Sequence, residues 1–296
     1  MVRPGRAADN AKKMKMLRSA NRHCDNRTAA AISVFPNDPM KTPVIHDRDL
    51  IAGLQKGLAL ILLFNDQTPR LTVPEAARLA GLTPSAARRF LLTLVHDGYA
   101  ETDGRYYWLT AKNLRIGQAY VESARLPRMM RPIVEKVAAE TREHVSVAVR
   151  DGDEVVHIVR SRVMNVSSLS MRQGWRLPMY CTGSGRLWLA SLPDAEVDAY
   201  LARVDRQALT PYTCTDVAAI KAIVARIREQ GYAELDQEYE VGMRILGVPL
   251  TDRHGQMRAS LTITTQVSAL SLAEIRERYL RFLYEGQALL RPIMDT

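Results

Sequence analysis

Apolar residues recur at helical spacing along Leu50, Ile51, Leu54, Leu58, Ile61, Leu62 and Phe64. The spacing predicts a helix over 50–64, opened by Asp47 or Asp49 and ended by Asn65-Asp66 and Pro69. Leu71-Thr72-Val73 is a short extended piece before a second helix, 74–80, which Gly81 stops. A third helix starts sharply after Gly81. Thr83 is placed to cap it, because a threonine hydroxyl accepts an orphan N–H of the first turn, and Pro84 suits that turn, where no N–H is needed. Ala87, Phe90, Leu91 and Leu94 fall on one face, and Ser85, Arg88, Arg89 and Thr93 on the other. Two strand-like runs, 99–102 and 105–109, flank Asp103-Gly104, a hairpin signal. Three helices and a hairpin, with the second and third helices joined by a few residues, predict a winged helix-turn-helix over 47–110.

The pattern then changes twice. Residues 112–126 carry a partly apolar helical stripe, closed by Pro127, and predict a linker helix within 111–126 that helps to pair two protomers. From 127 to 296 helices and strands come in blocks: a helix over 129–141, strands over 145–149 and 155–159 around Asp151-Gly152-Asp153, and a strand over 166–172. A loop over 173–180 leads through Cys181-Thr182-Gly183-Ser184-Gly185 into a helix over 186–191. Asp194, Asp216 and Ser271 are expected helix caps, and further strands fall over 232–235, 243–250 and 257–265. The order predicts an α+β domain with a mainly antiparallel sheet flanked by helices.

Composition sharpens this picture. With 296 residues and 47% hydrophobic content the chain has room for two domains with ordinary cores. No run of about 18 uncharged apolar residues predicts a membrane span. The basic N-terminus lacks the apolar stretch of a secretory signal. Cys24, Cys181 and Cys214 are scattered, with neither zinc nor disulfide spacing. A cytoplasmic protein is expected. Residues 1–126 hold 19 Lys and Arg against 11 Asp and Glu, net +8, while residues 127–296 are net +1. That asymmetry suits a polyanion-facing half. Residues 1–46 alone hold +6, and their prolines and lack of periodicity predict a disordered basic arm, in which Met14, Met16 and Met40 leave the translation start open.

A helix buried on one side with two arginines on the other is what double-stranded DNA recognition needs. Arg88 and Arg89 have the chemistry to reach guanine edges or phosphates. Ser85 and Thr93 share their face, Thr83 precedes it, Arg105 sits at the hairpin tip, and Thr72 stands at a helix N-terminus that suits a phosphate.

Three stretches resemble the IclR family of bacterial transcriptional regulators. They are 81–99, with Ala86-Ala87-Arg88-Arg89-Phe90-Leu91-Leu92-Thr93-Leu94 and Asp97-Gly98-Tyr99; 178–186, Pro178-Met179-Tyr180-Cys181-Thr182-Gly183-Ser184-Gly185-Arg186; and 231–250, with Gly231-Tyr232-Ala233-Glu234-Leu235-Asp236-Gln237-Glu238, Val241-Gly242-Met243-Arg244 and Val248-Pro249-Leu250. The look is that of the subgroup controlling protocatechuate, 4-hydroxybenzoate and β-ketoadipate catabolism. The resemblance implies a GAF-like C-terminal domain binding a small carboxylate effector, homodimers or homotetramers on operator DNA, and no cofactor. It implies a carboxylate at the backbone N–H groups of Gly183 and Ser184, Leu169 and Leu177 as an apolar wall, and Asp236, Ile245, Thr262 and Thr264 as the floor. Tyr180 and Cys181 adjoin that turn. Ile245 replaces a more polar residue of some members.

Other chemistries fit less well. Asp236, Glu238 and Glu240 alternate, but no histidine adjoins them, so no metal site is expected. Cys181 is a nucleophile only beside a base, and His144 and His157 qualify by residue type alone; on its strand His157 reads as a packed or surface residue. Thr182-Gly183-Ser184-Gly185 is not a GxSxG elbow, and no GxGxxG follows a strand. Trp175 suits either a stack on an aromatic effector or an apolar lid. The alternative to a regulator is a sensor or enzyme built on the α+β domain. The expected mechanism is a ligand-driven shift in the spacing of paired DNA-binding heads.

Overall fold

The computed structural model describes residues 45–65, 67–161, 174–267 and 270–295. The basic arm lies outside these residues up to position 44, as does the strand expected over 166–172. The described chain divides into two compact units between Ser123 and Ala124.

In the N-terminal unit, helix α1 (Ala52–Ile61) is shorter than the 50–64 expected. At its start, Asp47–Asp49 form a separate 3-10 turn and Ile51 is extended. Beyond its end, the Asn65 carboxamide oxygen accepts from the Gln67 and Thr68 N–H groups at 2.8 and 3.0 Å. An Asx turn therefore offers the backbone an alternative to continuing the helix. Helix α2 (Val73–Ala80) opens on a capping box: the Thr72 hydroxyl accepts from the Glu75 N–H, and the Glu75 carboxylate accepts from the Thr72 N–H at 2.8 Å. Gly81 ends it at φ +63°, a conformation that disfavours any side chain. Helix α3 (Pro84–His96) follows directly, capped by Thr83, which accepts from the Ala86 N–H at 3.3 Å. Strands β1 (Ala100–Thr102) and β2 (Tyr107–Leu109) form the wing, and Leu71 adds an isolated antiparallel bridge to Tyr107. Leu60, Leu71, Ala76, Leu91 and Tyr107 make a small core. Helix α4 (Leu114–Ser123) closes the unit.

Pro127 does not end the linker helix as expected. The break is at Ala124, which is extended, and Pro127 lies in the first turn of helix α5 (Arg125–Thr141), where its missing N–H removes no intrahelical bond. The C-terminal unit holds β3 (His144–Asp151), β4 (Glu154–Arg160), β5 (Arg176–Pro178), α6 (Gly183–Ser191), α7 (Asp194–Arg203), α8 (Val217–Gln230), β6 (Ala233–Asp236), β7 (Met243–Thr251), β8 (Met257–Gln266) and α9 (Leu272–Met294). The six strands run β5-β4-β3-β8-β7-β6, each pair antiparallel. Residues expected as loop supply β5, a three-residue edge strand too short for periodicity to reveal. Asp194 is the first residue of α7, not its cap, and pairs with Arg228 at 2.6 Å. Asp216 and Ser271 do cap α8 and α9.

Period-two alternation gives this sheet two unlike faces. One is aliphatic: Val145, Val147, Leu246, Val248, Leu261 and Ile263 pack under α5 and α9. The other, under α6 and α8, carries Ser146, Thr262, Thr264, His144 and His157, all buried. The Ser146 and Thr262 hydroxyls bond each other at 2.9 Å.

Arg186 of α6 is fully buried and fastens this layer. Its guanidinium donates to the Tyr180 carbonyl and, at 2.8 Å, to the Glu238 carboxylate, which also accepts from the Cys214 N–H at 3.1 Å. Glu238→Ala strands the guanidinium without its counter-charge. It is expected to lower the unfolding free energy of the C-terminal unit by about 3 kcal/mol, measured by urea denaturation followed by circular dichroism; a loss under about 1 kcal/mol would remove the pair from the stabilising set.

Candidate DNA-binding face and ligand site

Helix α3 is held by its apolar side, with Ala87 and Leu91 fully buried. That leaves Ser85, Arg88, Arg89 and Thr93 exposed on one stripe, at spacings of three, four and eight residues from Ser85. Among the described residues no carboxylate pairs with Arg88, Arg89 or Arg105. Arg176, Arg203, Arg228, Arg244 and Arg276 of the other unit each hold an Asp or Glu. Unpaired guanidinium groups on an exposed helix are available to phosphates or base edges. Arg105 lies in the exposed turn of the wing, its guanidinium 5.2 Å from the Tyr106 ring centre. The turn is fixed by Asp103, whose carboxylate accepts from the Arg105 and Tyr106 N–H groups at 3.0 and 2.7 Å, which holds that carboxyl below its ordinary range.

Three of the expected DNA-contacting residues spend their hydroxyls locally. Thr83 caps α3. Thr93 donates to the Arg89 carbonyl one turn back, at 2.9 Å. Thr72 donates to Glu75 at 2.7 Å, so a carboxylate already occupies the place where a phosphate was expected. Ser85, Arg88, Arg89 and Arg105 are left as the open polar set.

In the C-terminal unit a hollow of about 390 Å³, its mouth included, lies between the first turn of α6 and the polar face of the sheet. Of the expected effector residues, it is lined by Leu177, Gly183, Ser184, Ile245, Thr262 and Thr264. The Thr182 hydroxyl caps α6 by accepting from the Gly185 N–H at 3.2 Å. The helix supplies no acceptor for the N–H groups of Gly183 and Ser184, its first two residues. These donors, with the positive end of the helix dipole, suit a carboxylate. Ile245 supports the turn: a side-chain carbon at Gly183 would lie 2.6 Å from its methyl group.

Four expected residues stand elsewhere. Leu169 lies outside the described residues. Asp236 is on the opposite face of β6 from Leu235, because neighbours on a strand point apart, and it binds Arg244 at 2.9 and 3.2 Å. Tyr180 points into the core, its hydroxyl donating to the Gln207 carbonyl at 2.8 Å. Cys181 is fully buried, and burial pushes its thiol up to about 12, which removes it as a nucleophile. Trp175 is partly exposed and bonds Tyr239 instead of lining the hollow.

The hollow also takes in His157, Thr182, Tyr239 and Met243, none of them in the expected set. His157 interrupts the run Val155-Val156-His157-Ile158-Val159, and an imidazole among buried aliphatics is a signal in itself. Tyr239 belongs to the irregular connection between β6 and β7, which carries no periodic signal, and Met243 is the first residue of β7. His157 is buried, and burial together with the Arg160 charge lowers it to about 4. His144 falls to about 3 for the same two reasons and accepts from the Arg160 guanidinium.

Two domains of one known family match the chain. Residues 53–104 match the IclR helix-turn-helix domain, and residues 118–286 match the bacterial transcriptional regulator IclR C-terminal domain. The chain belongs to the IclR family of transcriptional regulators. It is 34% identical over 256 residues to the Pca regulon regulatory protein of Pseudomonas putida, covering 86% of this chain and 85% of the relative. It is 35% identical over 236 residues to the p-hydroxybenzoate hydroxylase transcriptional activator of Acinetobacter baylyi, covering 78% and 87%. A solved transcriptional regulator from Rhodococcus sp. RHA1 shares its fold with a TM-score of 0.70 and 35% identity, over 83% of this chain and 98% of that one. An IclR homologue from Microbacterium hydrocarbonoxydans, solved with 4-hydroxybenzoate, superposes with a TM-score of 0.66 at 22% identity, over 82% and 99%. These relatives are regulators, not enzymes. Among the described residues no helix is long and apolar enough to cross a membrane.

The depressed histidines set a pH dependence. Each is neutral in the fold and takes a proton on unfolding below its ordinary value near 6.5. Their contribution to stability is complete above about pH 6.5 and is lost as the pH falls towards 4. His157 alone accounts for on the order of 3 kcal/mol. Melting temperatures between pH 7.5 and 5 are expected to fall less steeply for His157→Leu than for the wild type; superimposable profiles would mean that this imidazole is not held neutral.

Proposed function

We propose that the protein is an operator-binding regulator of aromatic-acid catabolism that responds to an aromatic carboxylate bound under the first turn of α6. The observation carrying the reading is the presence in one family member of an unpaired arginine stripe on α3 and of a hollow whose helix end is made of free N–H donors. The acid's carboxylate meets Gly183 and Ser184, its ring lies against Leu177, Met243 and Ile245, and Thr262 and Thr264 form the floor. The named regulators of aromatic catabolism among its relatives, and the 4-hydroxybenzoate in the Microbacterium homologue, support this ligand class.

The regulator acts as a homodimer or a pair of dimers, with α3 of two protomers in successive major grooves of a partly palindromic site. Ile51, Leu54, Leu58 and Leu62 support pairing, since they are 48–76% exposed along α1 and its ends, and a contiguous apolar stripe of that kind marks an interaction surface. The ligand prefers one arrangement of the paired heads and so shifts the population that fits the operator.

Gel-shift titration on DNA upstream of the chain's own gene, with and without 4-hydroxybenzoate, tests the reading. A specific complex whose affinity changes with the acid is expected, and absence of any specific complex at physiological salt would overturn it. Arg89→Ala is expected to weaken the complex by about 1–3 kcal/mol; an unchanged affinity would remove Arg89 from the base-reading set. Ser184→Trp fills the hollow and is expected to abolish the response while DNA binding persists.

A further inference from the structure

The hollow is chemically lopsided. Its α6 end presents backbone donors, whereas its lining elsewhere includes the imidazole of His157 beside Leu177 and Tyr239. Gly183 rests against Ile245 on β7, and His157 stands on β4, with β8 and β3 between. Thr262 and Thr264 of β8 lie in the middle of the floor. The imidazole is 6% exposed, lines the hollow, and leaves its Nδ1 without a partner among the described residues. Ser146 bonds Thr262, Ser260 donates to the Ala148 carbonyl, and His144 accepts from Arg160; the His144 Nδ1 is also without a partner among the described residues, but only His157 of the two histidines lines the hollow. An unpaired buried ring nitrogen is costly, and a fold that keeps one beside an open hollow has a use for it.

We propose that His157 is the specificity residue of the ligand site, reading a hydroxyl on the ring position opposite the effector's carboxylate. The inference rests on the ligand reading above and adds to it the residue that distinguishes one aromatic acid from another. A neutral imidazole has one donor and one acceptor nitrogen and so matches a phenol hydroxyl, which can both give and take a hydrogen bond. Burial and the neighbouring Arg160 charge keep the ring neutral. A second carboxylate at this end would place an ion against an uncharged ring among Val155, Leu177 and Ala148, an uncompensated burial of charge. Sites that hydrogen-bond a ligand hydroxyl discriminate strongly against the analogue lacking it, because the site's own polar group is then left unpaired.

Isothermal titration of the full chain with benzoate, 4-hydroxybenzoate and adipate tests this. The wild type is expected to bind 4-hydroxybenzoate at least about tenfold more tightly than benzoate, with adipate weakest. His157→Leu, of similar volume, is expected to reduce that preference to within about twofold, with benzoate affinity held near the wild-type value; His157→Gln is expected to retain part of it. Operator binding by each variant, in a gel shift, shows that the chain is folded. Retention of the tenfold preference in a folded His157→Leu overturns the proposal, and so does an adipate affinity above that of 4-hydroxybenzoate. If the wild type binds none of the three acids, the ligand reading itself fails, and its failure is distinguished from that of His157 by the wild-type titration alone.

Discussion

The close seating of the first turn of α6 on the sheet is the constraint from which the ligand site follows. At Gly185 a side-chain carbon would strike the Met179 backbone and lie 2.6 Å from the Thr182 hydroxyl. At Gly183 it would strike Ile245. Two glycines therefore let a helix N-terminus approach a buried surface with its first N–H groups uncovered. Arg186, one residue further on, holds the turn in place through Tyr180 and Glu238. The same residues that bring the donors close thus prevent the turn from relaxing away from the hollow. Across from them the sheet shows its polar face, so Thr262, Thr264 and His157 line the space between together with Leu177, Met243 and Ile245.

The N-terminal unit solves a different problem with similar economy. Its core is small, and Leu60, Leu71, Ala76, Leu91 and Tyr107 tie three helices and the wing together. Gly81 makes the turn between α2 and α3 short, while Thr72 and Thr83 cap the two helices. Once those hydroxyls are committed to the backbone, the polar surface left for a partner narrows to Ser85, the two arginines and Arg105. The charge of +6 in residues 1–46 is not needed for that surface to exist.

Much of this was legible in the residues themselves. The cap signals at Thr83, Asp216 and Ser271 and the glycine stops at Gly81 and Gly231 mark helix ends through purely local chemistry, which is why they survive into the fold. Leu177, Gly183, Ser184, Ile245, Thr262 and Thr264 came from the resemblance to the family, and they meet around one hollow. What local pattern could not supply was facing. Asp236 and Leu235 are neighbours in sequence but lie on opposite faces, and only the pairing of β6 with β7 shows which face is inward. Tyr180 and Cys181 adjoin the first turn of α6 yet turn into the core. The residue pattern reads His157 as a packed or surface residue; it is packed, but at the edge of a hollow that exists only after four strands have been laid side by side. Pro127 misled because proline both ends helices and begins them, and the break came instead at Ala124.

The central claim is that an aromatic carboxylate binds with its charge on the N–H groups at the start of α6 that the helix leaves without an acceptor. Backbone amide resonances of the full-length protein, recorded by TROSY NMR during titration with 4-hydroxybenzoate, read those groups directly. The account predicts that the Gly183 and Ser184 amides show the largest downfield proton shifts, with smaller changes along Thr262 and Thr264. Saturable binding that leaves the Gly183 and Ser184 amides unmoved would contradict it.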